Sequence, residues 1–168
     1  PPERDADAYQ QWLADGCHGE MGYMAEHRAL RLDASGIEPW ARGLVMLAVP
    51  YRLPVGSDPA ISAYAVSDDY HEVIRARLGE LGACVTALTG SRTRGVVDSA
   101  PVLERAHARR AGLGWTGRSA MLLHPDLGSA FFIAALVTEL EVESTGEVAD
   151  RCGRCTRCSD ACPTGAIT

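Results

Sequence analysis

The sequence predicts an α/β (α+β) layered domain followed by a short cysteine-rich segment. Apolar runs of strand length alternate with stretches of helical spacing as far as residue 137, and this alternation favours a sheet layered with helices. Four of the six cysteines fall in 152–168. A chain of 168 residues can hold one domain with a core plus a small appendage. Because the stretch 139–150 is acidic and has no pattern, we predict that the boundary between the two lies within it.

The amino-terminal part predicts helices and turns. Residues 5–15 have helical spacing, and Gly16 is a typical stop just past a helix. A glycine-broken turn then leads into a short helix near Met24, and residues 28–36 are polar and loop-like.

The first strand is predicted at 44–49, a continuous apolar run that Pro50 ends. A run of this kind fits a strand that is buried on both faces of a layered sheet. Residues 52–60 are rich in Pro, Gly and Ser, which predicts a loop.

A longer helix follows. Asp68 or Asp69 is the predicted N-cap, and Gly82 is the predicted end. Residues 83–88 are again apolar and fit either a second strand or a continuation of the helix.

The next strand, Val96 and Val97, ends at Asp98, and Ser99 is the predicted cap of a helix over 101–111. In open α/β sheets ligands bind beyond the carboxyl ends of strands. The Asp98 carboxylate is therefore a candidate general acid or base. The alternative is that Asp98 and Ser99 serve only as helix caps.

The sequence Gly112-x-Gly114-x-x-Gly117 matches the dinucleotide pattern G-x-G-x-x-G. These glycines follow a helix and precede a strand, whereas the dinucleotide fingerprint follows a strand and opens a helix. We therefore predict a turn that lets the backbone approach a large flat group. Arg118 is either a contact for a phosphate or amide oxygen or a solvated arginine.

Two strands complete the larger domain. They are predicted at 120–123 and 129–137, with a turn at 124–128 between them.

The cysteine segment reads C-x2-C-x2-C-x3-C-P, from Cys152 through Cys155 and Cys158 to Cys162 and Pro163. This is the bacterial iron–sulfur run, in which the fourth cysteine ligates the other cluster of a two-cluster protein. A structural zinc site would need two separated C-x2-C pairs or histidines at finger spacing, and a disulfide knot suits small secreted domains. We therefore predict a ferredoxin-like 4Fe-4S segment.

Composition limits the possible partners and the compartment. The net charge of −6 and pI of about 5.3 disfavour nucleic-acid binding by these residues alone. All sixteen basic residues are arginine. No run of eighteen apolar residues occurs, so no membrane contact is predicted. Cysteines grouped as metal ligands favour the reducing cytoplasm.

Several segments together resemble the epoxyqueuosine reductases, which are iron–sulfur and cobalamin-dependent enzymes of tRNA queuosine biosynthesis. The resemblance covers nearly the whole chain and is carried by Tyr23-Met24 with Arg31, by Asp69-Tyr70-His71, by residues 97–105 and 111–117, by Gly128-Ser129 and by residues 152–167.

The resemblance implies a cobalamin-binding domain over 1–147 and the start of a two-cluster 4Fe-4S domain over 148–168. Electrons from a separate reductant would pass through two clusters to cobalamin, and epoxyqueuosine in tRNA would be reduced to queuosine. Asp98 would donate a proton to the epoxide oxygen. The residues implied to bind cobalamin are Arg31, Tyr70, His71, Asp98, Arg118, Ser119 and Ser129.

The resemblance also implies that the chain is a piece of a longer, monomeric protein. The family's first strand, the rest of its ferredoxin domain and its helical-repeat region would lie outside it, together with most of the tRNA surface. Arg118-Ser119 and Val66-Ser67 depart from the residues usual in the family. Two alternatives stay open, a reductive-dehalogenase-like corrinoid enzyme and a ferredoxin-type electron carrier without a corrin.

Overall fold

A computed structural model describes residues 1–51 and 61–167 of the chain as a small antiparallel sheet with helices on both faces. The predicted loop 52–60 lies outside the described residues. The helices are α1 (Glu3–Ala14), α2 (Gly22–Glu26), α3 (Arg28–Leu32), α4 (Tyr70–Thr89), α5 (Glu104–Arg110) and α6 (Arg157–Asp160). The strands are β1 (Gly43–Pro50), β2 (Thr93–Val97), β3 (Trp115–Thr116), β4 (Leu122–Leu123) and β5 (Phe131–Thr138).

Strand β5 is the centre of the main sheet, whose order is β1-β5-β2 with both pairs antiparallel. The mixed α and β content confirms the predicted class, but the strands are not the parallel ones of an open α/β sheet. Strands β3 and β4 form a separate two-stranded hairpin.

The core lies on both faces of β5. On one face Ala135 and Val137 are fully buried and pack with residues of α5 and of the β3–β4 hairpin. On the other face Ala134 packs against Ile74 and Leu78 of α4. The small alanine side chains let both layers come close to the central strand.

Strand β1 was predicted to be buried on both faces, and this is wrong. Among its residues only Met46 is buried, and Val45 is exposed. Within the described part of the chain β1 pairs only with β5, and because α4 packs mainly over β2 and β5, Val45 on β1 stays exposed.

Two helix predictions are also wrong. Residues 28–36 were predicted to be a loop but contain α3 and the beginning of a 3-10 turn over Ala34–Ile37. Gly82 does not end α4, which continues to Thr89 and ends at Gly90 with a left-handed φ of 73°. Residues 83–88 are therefore a continuation of the helix and not a strand.

Gly82 has a packing role in α4. A Cβ at this position would lie 2.7 Å from the Thr93 side-chain oxygen of β2. Glycine therefore brings helix and strand close together instead of stopping the helix.

The helix predicted over 101–111 begins later, at Glu104, and the structure shows no side-chain cap at its start. Ser99 lies in a tight turn directly after β2 and does not cap α5. The predicted end is confirmed, because Gly112 follows the helix with a φ of 75°.

The stretch 112–117 was predicted to be a turn, but Trp115 and Thr116 within it form β3, which pairs with β4 in a hairpin. A Cβ on Gly114 would lie 2.0 Å from the Leu123 carbonyl oxygen, so only glycine fits between β3 and β4. The predicted turn at 124–128 is confirmed by the paired hydrogen bonds between His124 and Gly128.

The acidic stretch from residue 139 to 150 contains no helix or strand. It is tied to the end of α5, because Ser144 Oγ donates to the Arg110 carbonyl at 2.9 Å. In the described ranges, 1–51 and 61–167, we find no helix of the length and apolarity that a membrane crossing requires.

Because β5 lies in the core, we predict that Leu136→Ala strongly destabilises the folded protein. Leu136 is 1% exposed, so we expect a loss of about 2–5 kcal/mol in the free energy of unfolding. The matched control is Leu88→Ala in α4, where the side chain is 81% exposed and the expected change is within about 0.5 kcal/mol. Urea unfolding of both variants measures the difference, and equal losses would contradict the assigned core.

Candidate active site and cysteine segment

Asp98 lies where β2 leaves the sheet, in a strained turn. Its backbone φ is 54°, a value that is uncommon for a residue with a side chain. The Ser99 N–H donates to the Val97 carbonyl at 2.6 Å across Asp98. This i to i+2 bond with a positive φ at the central residue is typical of the rare classic γ-turn. The chain therefore leaves the regular geometry of β2 at Asp98.

Two side chains from the first turn of α4 contact the Asp98 carboxylate. Tyr70 Oη donates to Asp98 Oδ2 at 3.1 Å, and His71 Nε2 lies 3.2 Å from the same oxygen. Asp69 is the N-cap of α4, as predicted, and its Oδ1 lies 2.8 Å from His71 Nδ1. His71 therefore bridges two carboxylates and has a fixed ring orientation.

The two side chains that contact Asp98, Tyr70 and His71, both hold their protons more tightly than usual. The hydrogen bond to Asp69, followed by the one to Asp98, raises the pKa of His71 above its ordinary value. Burial, with the bond to Asp98, raises the pKa of Tyr70 to about 12, so its hydroxyl keeps its proton. The Asp98 side chain is 62% exposed. A histidine that can hold a proton and an accessible carboxylate are thus neighbours, and such a pair can pass a proton towards a substrate.

Glu104, the first residue of α5, binds the backbone of the Asp98 turn. Its Oε1 accepts a hydrogen bond from the Asp98 backbone N–H at 2.8 Å. Burial raises the pKa of Glu104 to about 7, and the nearby Arg31 charge opposes this rise. Arg31 Nε is buried without a hydrogen-bond partner in the structure as described.

An aromatic surface flanks Asp98. The Tyr70 ring stacks on Phe132 of β5 with centroids 4.2 Å apart and planes within 12°. Tyr64 meets Phe132 edge-on, and Ile61, Tyr64 and Val66 are exposed. A large, flat, partly apolar ligand fits such a surface, because it would cover exposed apolar groups and leave the polar side chains to fix its orientation.

The structure places two of the other predicted cobalamin contacts, Arg118 and Ser119, apart from this cluster. Arg118 and Ser119 lie in the β3–β4 turn, which Arg105 holds by donating to the Ala120 carbonyl at 2.8 Å. Ser129 is exposed and precedes β5, so it lies at the same end of the sheet as Asp98. Of the predicted cobalamin contacts, Tyr70, His71 and Asp98 are the ones that the structure brings into direct contact with one another.

The cysteine segment is a series of tight turns around α6. The Cys155 N–H donates to the Cys152 carbonyl at 2.9 Å, with Gly153 between them at a φ of 51°. Cys158 lies in α6, and the Cys162 N–H donates to the Ser159 carbonyl at 3.2 Å. Hydrogen bonds from the hydroxyl and backbone of Thr164 and from other backbone N–H groups lower the pKa of Cys162 to about 7.

These cysteines have the donor chemistry of an iron–sulfur site. All four are free thiols on one short loop, and thiolates are the ligands that iron–sulfur clusters prefer. Across residues 1–51 and 61–167, no three His, Cys, Asp or Glu side chains are gathered closely enough to hold a metal ion. Binding would therefore turn the thiols towards a common centre, and such coupling of binding to local folding is common for metal sites.

Comparison with known proteins identifies the family. The family model described as "Epoxyqueuosine reductase QueG, DUF1730" matches residues 31–99, and that of the "4Fe-4S binding domain" matches residues 148–168. Epoxyqueuosine reductase from Leadbetterella byssophila is 41% identical over 99% of this chain. By sequence and by fold, the chain belongs to the epoxyqueuosine reductase family.

Solved structures of epoxyqueuosine reductases share the fold. One contains an epoxyqueuosine-modified tRNA-Tyr stem loop and matches 96% of this chain and 46% of that chain, with 26% identity and a TM-score of 0.72. Another, from Bacillus subtilis, has a catalytic loop swung out of the active site and matches 96% of this chain and 45% of that chain, with 26% identity and a TM-score of 0.75.

The chain spans about half the length of its relatives, 56% in the case of the Leadbetterella byssophila protein. The predicted resemblance to epoxyqueuosine reductase is confirmed, and so is the predicted 4Fe-4S segment at the level of its family. The assigned roles of individual residues stay predictions.

Sequence reasoning missed three side chains of the site. Glu104 looks like an ordinary acidic residue in the first turn of a helix, and only the fold shows its bond to the Asp98 N–H. Phe132 looks like one more apolar strand residue. Trp115 lies within the glycine pattern, but its contact with Cys152 joins residues 37 positions apart and leaves no local signal.

The raised pKa of Glu104 predicts a pH-dependent stability. The folded protein keeps a proton on Glu104 up to about pH 7, whereas the unfolded chain releases it near the ordinary pKa of 4.5. This contribution is fully present below the unfolded pKa and is lost as the pH rises through the folded pKa. Glu104→Gln removes this titration and keeps an acceptor oxygen.

We therefore expect wild type to lose free energy of unfolding relative to Glu104→Gln as the pH rises through this window. Urea unfolding at a series of pH values measures the difference, with Glu80→Gln on the exposed face of α4 as a control for one lost negative charge. A difference between wild type and Glu104→Gln that stays constant over the window would refute the buried proton.

Proposed function

We propose that this chain is part of an oxidoreductase that reduces epoxyqueuosine in tRNA to queuosine, with Asp98 as proton donor. The observation that carries the proposal is the Asp98 carboxylate, accessible at a sheet end and contacted by Tyr70 and His71. The named activity of relatives that align with 99% of the chain supports the reaction.

Two groups of residues would hold the cofactors. Cys152, Cys155 and Cys158 would ligate one 4Fe-4S cluster, and Cys162 would contribute to a second one. The aromatic surface around Tyr70, together with Arg31, His71, Arg118, Ser119 and Ser129, would hold cobalamin. When bound, the clusters and cobalamin would supply the reducing electrons.

The proposed role of Asp98 follows from the chemistry of the leaving oxygen. Opening an epoxide leaves an alkoxide, which departs poorly unless an acid within hydrogen-bond distance protonates it. The Asp98 side chain is 62% exposed, so its carboxyl group is accessible to a substrate bound at this end of the sheet.

In this proposal His71 restores the proton of Asp98. Its raised pKa keeps the imidazole protonated at higher pH than an ordinary histidine, and its Nε2 lies 3.2 Å from Asp98 Oδ2. Asp69 compensates the positive charge from the opposite side of the ring. Asp98 and His71 therefore form a pair that can hold one proton next to the substrate and take up another from solvent.

The partners are proposed on chemical grounds. The substrate is a modified base in tRNA, as in the solved relative that contains a tRNA stem loop. Because this chain carries a net charge of −6, most of the basic surface for tRNA would come from the remainder of the full-length protein. A separate cytoplasmic reductant would supply electrons to the protein, which would act as a monomer.

Asp98→Asn tests the proton donor. Asparagine tolerates a positive φ, so the turn should keep its shape while the acidic proton is lost. We expect single-turnover conversion of epoxyqueuosine to queuosine in tRNA to fall about 10²–10⁴-fold in the full-length protein, measured by mass spectrometry of the nucleosides.

The matched control is Asp126→Asn, which changes an exposed aspartate in the turn before β5. This variant should convert the substrate at the wild-type rate. If Asp98→Asn turns over as fast as the control while binding tRNA equally well, Asp98 is not the proton donor.

A further inference from the structure

Trp115 joins the larger domain to the cysteine segment through a hydrogen bond to sulfur. Its indole Nε1 donates to Cys152 Sγ at 3.4 Å. The indole N–H is a donor only, so the direction of this bond is fixed. Cys152 is the first cysteine of the predicted cluster run, and the bond therefore reaches an atom that would become a ligand of iron.

The position of Trp115 is fixed from several sides. It lies in β3 and pairs with Leu123, next to Gly114, where a Cβ would lie 2.0 Å from the Leu123 carbonyl oxygen. The guanidinium of Arg151 lies 6.0 Å from the centroid of its ring. A rigid hairpin thus presents the indole to the cysteine loop.

Arg118 from the same hairpin holds the backbone of that loop. Its Nη2 donates to the Gly153 carbonyl at 2.9 Å, and its Nη1 donates to the Cys155 carbonyl at 3.4 Å. These bonds dock the loop on the hairpin without touching sulfur. Because Arg118 already holds the loop, the Trp115 bond to sulfur is not needed for docking.

We propose that Trp115 tunes the reduction potential of the cluster that Cys152 ligates. A hydrogen bond to a ligand sulfur stabilises the reduced cluster, which carries one more negative charge, more than the oxidised cluster. One electron enters the cluster, and no bond to the protein is made or broken. The bond from Trp115 therefore raises the potential. This inference rests on the proposed cluster.

Trp115→Phe in the full-length protein tests the inference. Phenylalanine keeps an aromatic ring for Arg151 and loses the N–H. At a fixed potential set with dithionite, we expect the ratio of reduced to oxidised cluster to fall about threefold to tenfold, where tenfold corresponds to about 59 mV for a one-electron couple. Electron paramagnetic resonance during an anaerobic redox titration measures this ratio.

The matched control is Trp40→Phe. Trp40 also carries an arginine over its ring, with Arg92 at 5.2 Å, but it packs on the core and not on the cysteine loop. The potentials of this variant should equal those of wild type. Unchanged potentials in Trp115→Phe as well would overturn the inference.

A second measurement needs no variant. Wild-type protein labelled with indole-¹⁵N tryptophan should show coupling between one ¹⁵N nucleus and the reduced cluster in pulsed electron paramagnetic resonance, because the nitrogen lies 3.4 Å from a ligand sulfur. Absence of that coupling in protein that holds iron and sulfide refutes the role of Trp115. Absence of iron and sulfide refutes the proposed cluster instead.

Discussion

The pairing of β5 with a strand on each side is the constraint on which the rest of the structure depends. Ala134 to Val137 are at most 1% exposed, because helices or hairpins cover both faces of this strand. Antiparallel pairing of Val97 with Ala134 fixes where β2 ends. The Asp98 turn, the first turn of α4 and the start of β5 therefore meet at one end of the sheet, and the site is a consequence of strand register.

Strain and support are combined at this site. A positive φ at a residue other than glycine costs about 1–3 kcal/mol and persists only where the surroundings hold it in place. At Asp98 the support comes from Glu104 behind the turn and from Tyr70 and His71 in front of it. The side chain is thereby presented to the solvent in a defined direction, as a group that must meet a bound substrate requires.

The sequence predicted what depends on local chemistry. The cap at Asp69, the strand before Asp98 and the cysteine spacing all leave signals within a few residues. It failed where tertiary packing decides, as at Gly82, which is a contact glycine inside α4 and not a helix stop. It could not find Glu104 or Trp115, because their partners are set by how α5 and the β3–β4 hairpin pack.

The central claim is that the cysteine segment and the Asp98 site serve one corrin-dependent reduction. The most direct test is to mix the anaerobically purified full-length protein with cobalamin, separate them by gel filtration and record the visible spectrum together with iron and sulfide. Our account predicts that corrin, iron and sulfide elute together, with less corrin retained after Tyr70→Ala. Protein that holds iron and sulfide but retains no corrin would contradict it and would indicate a simple electron carrier.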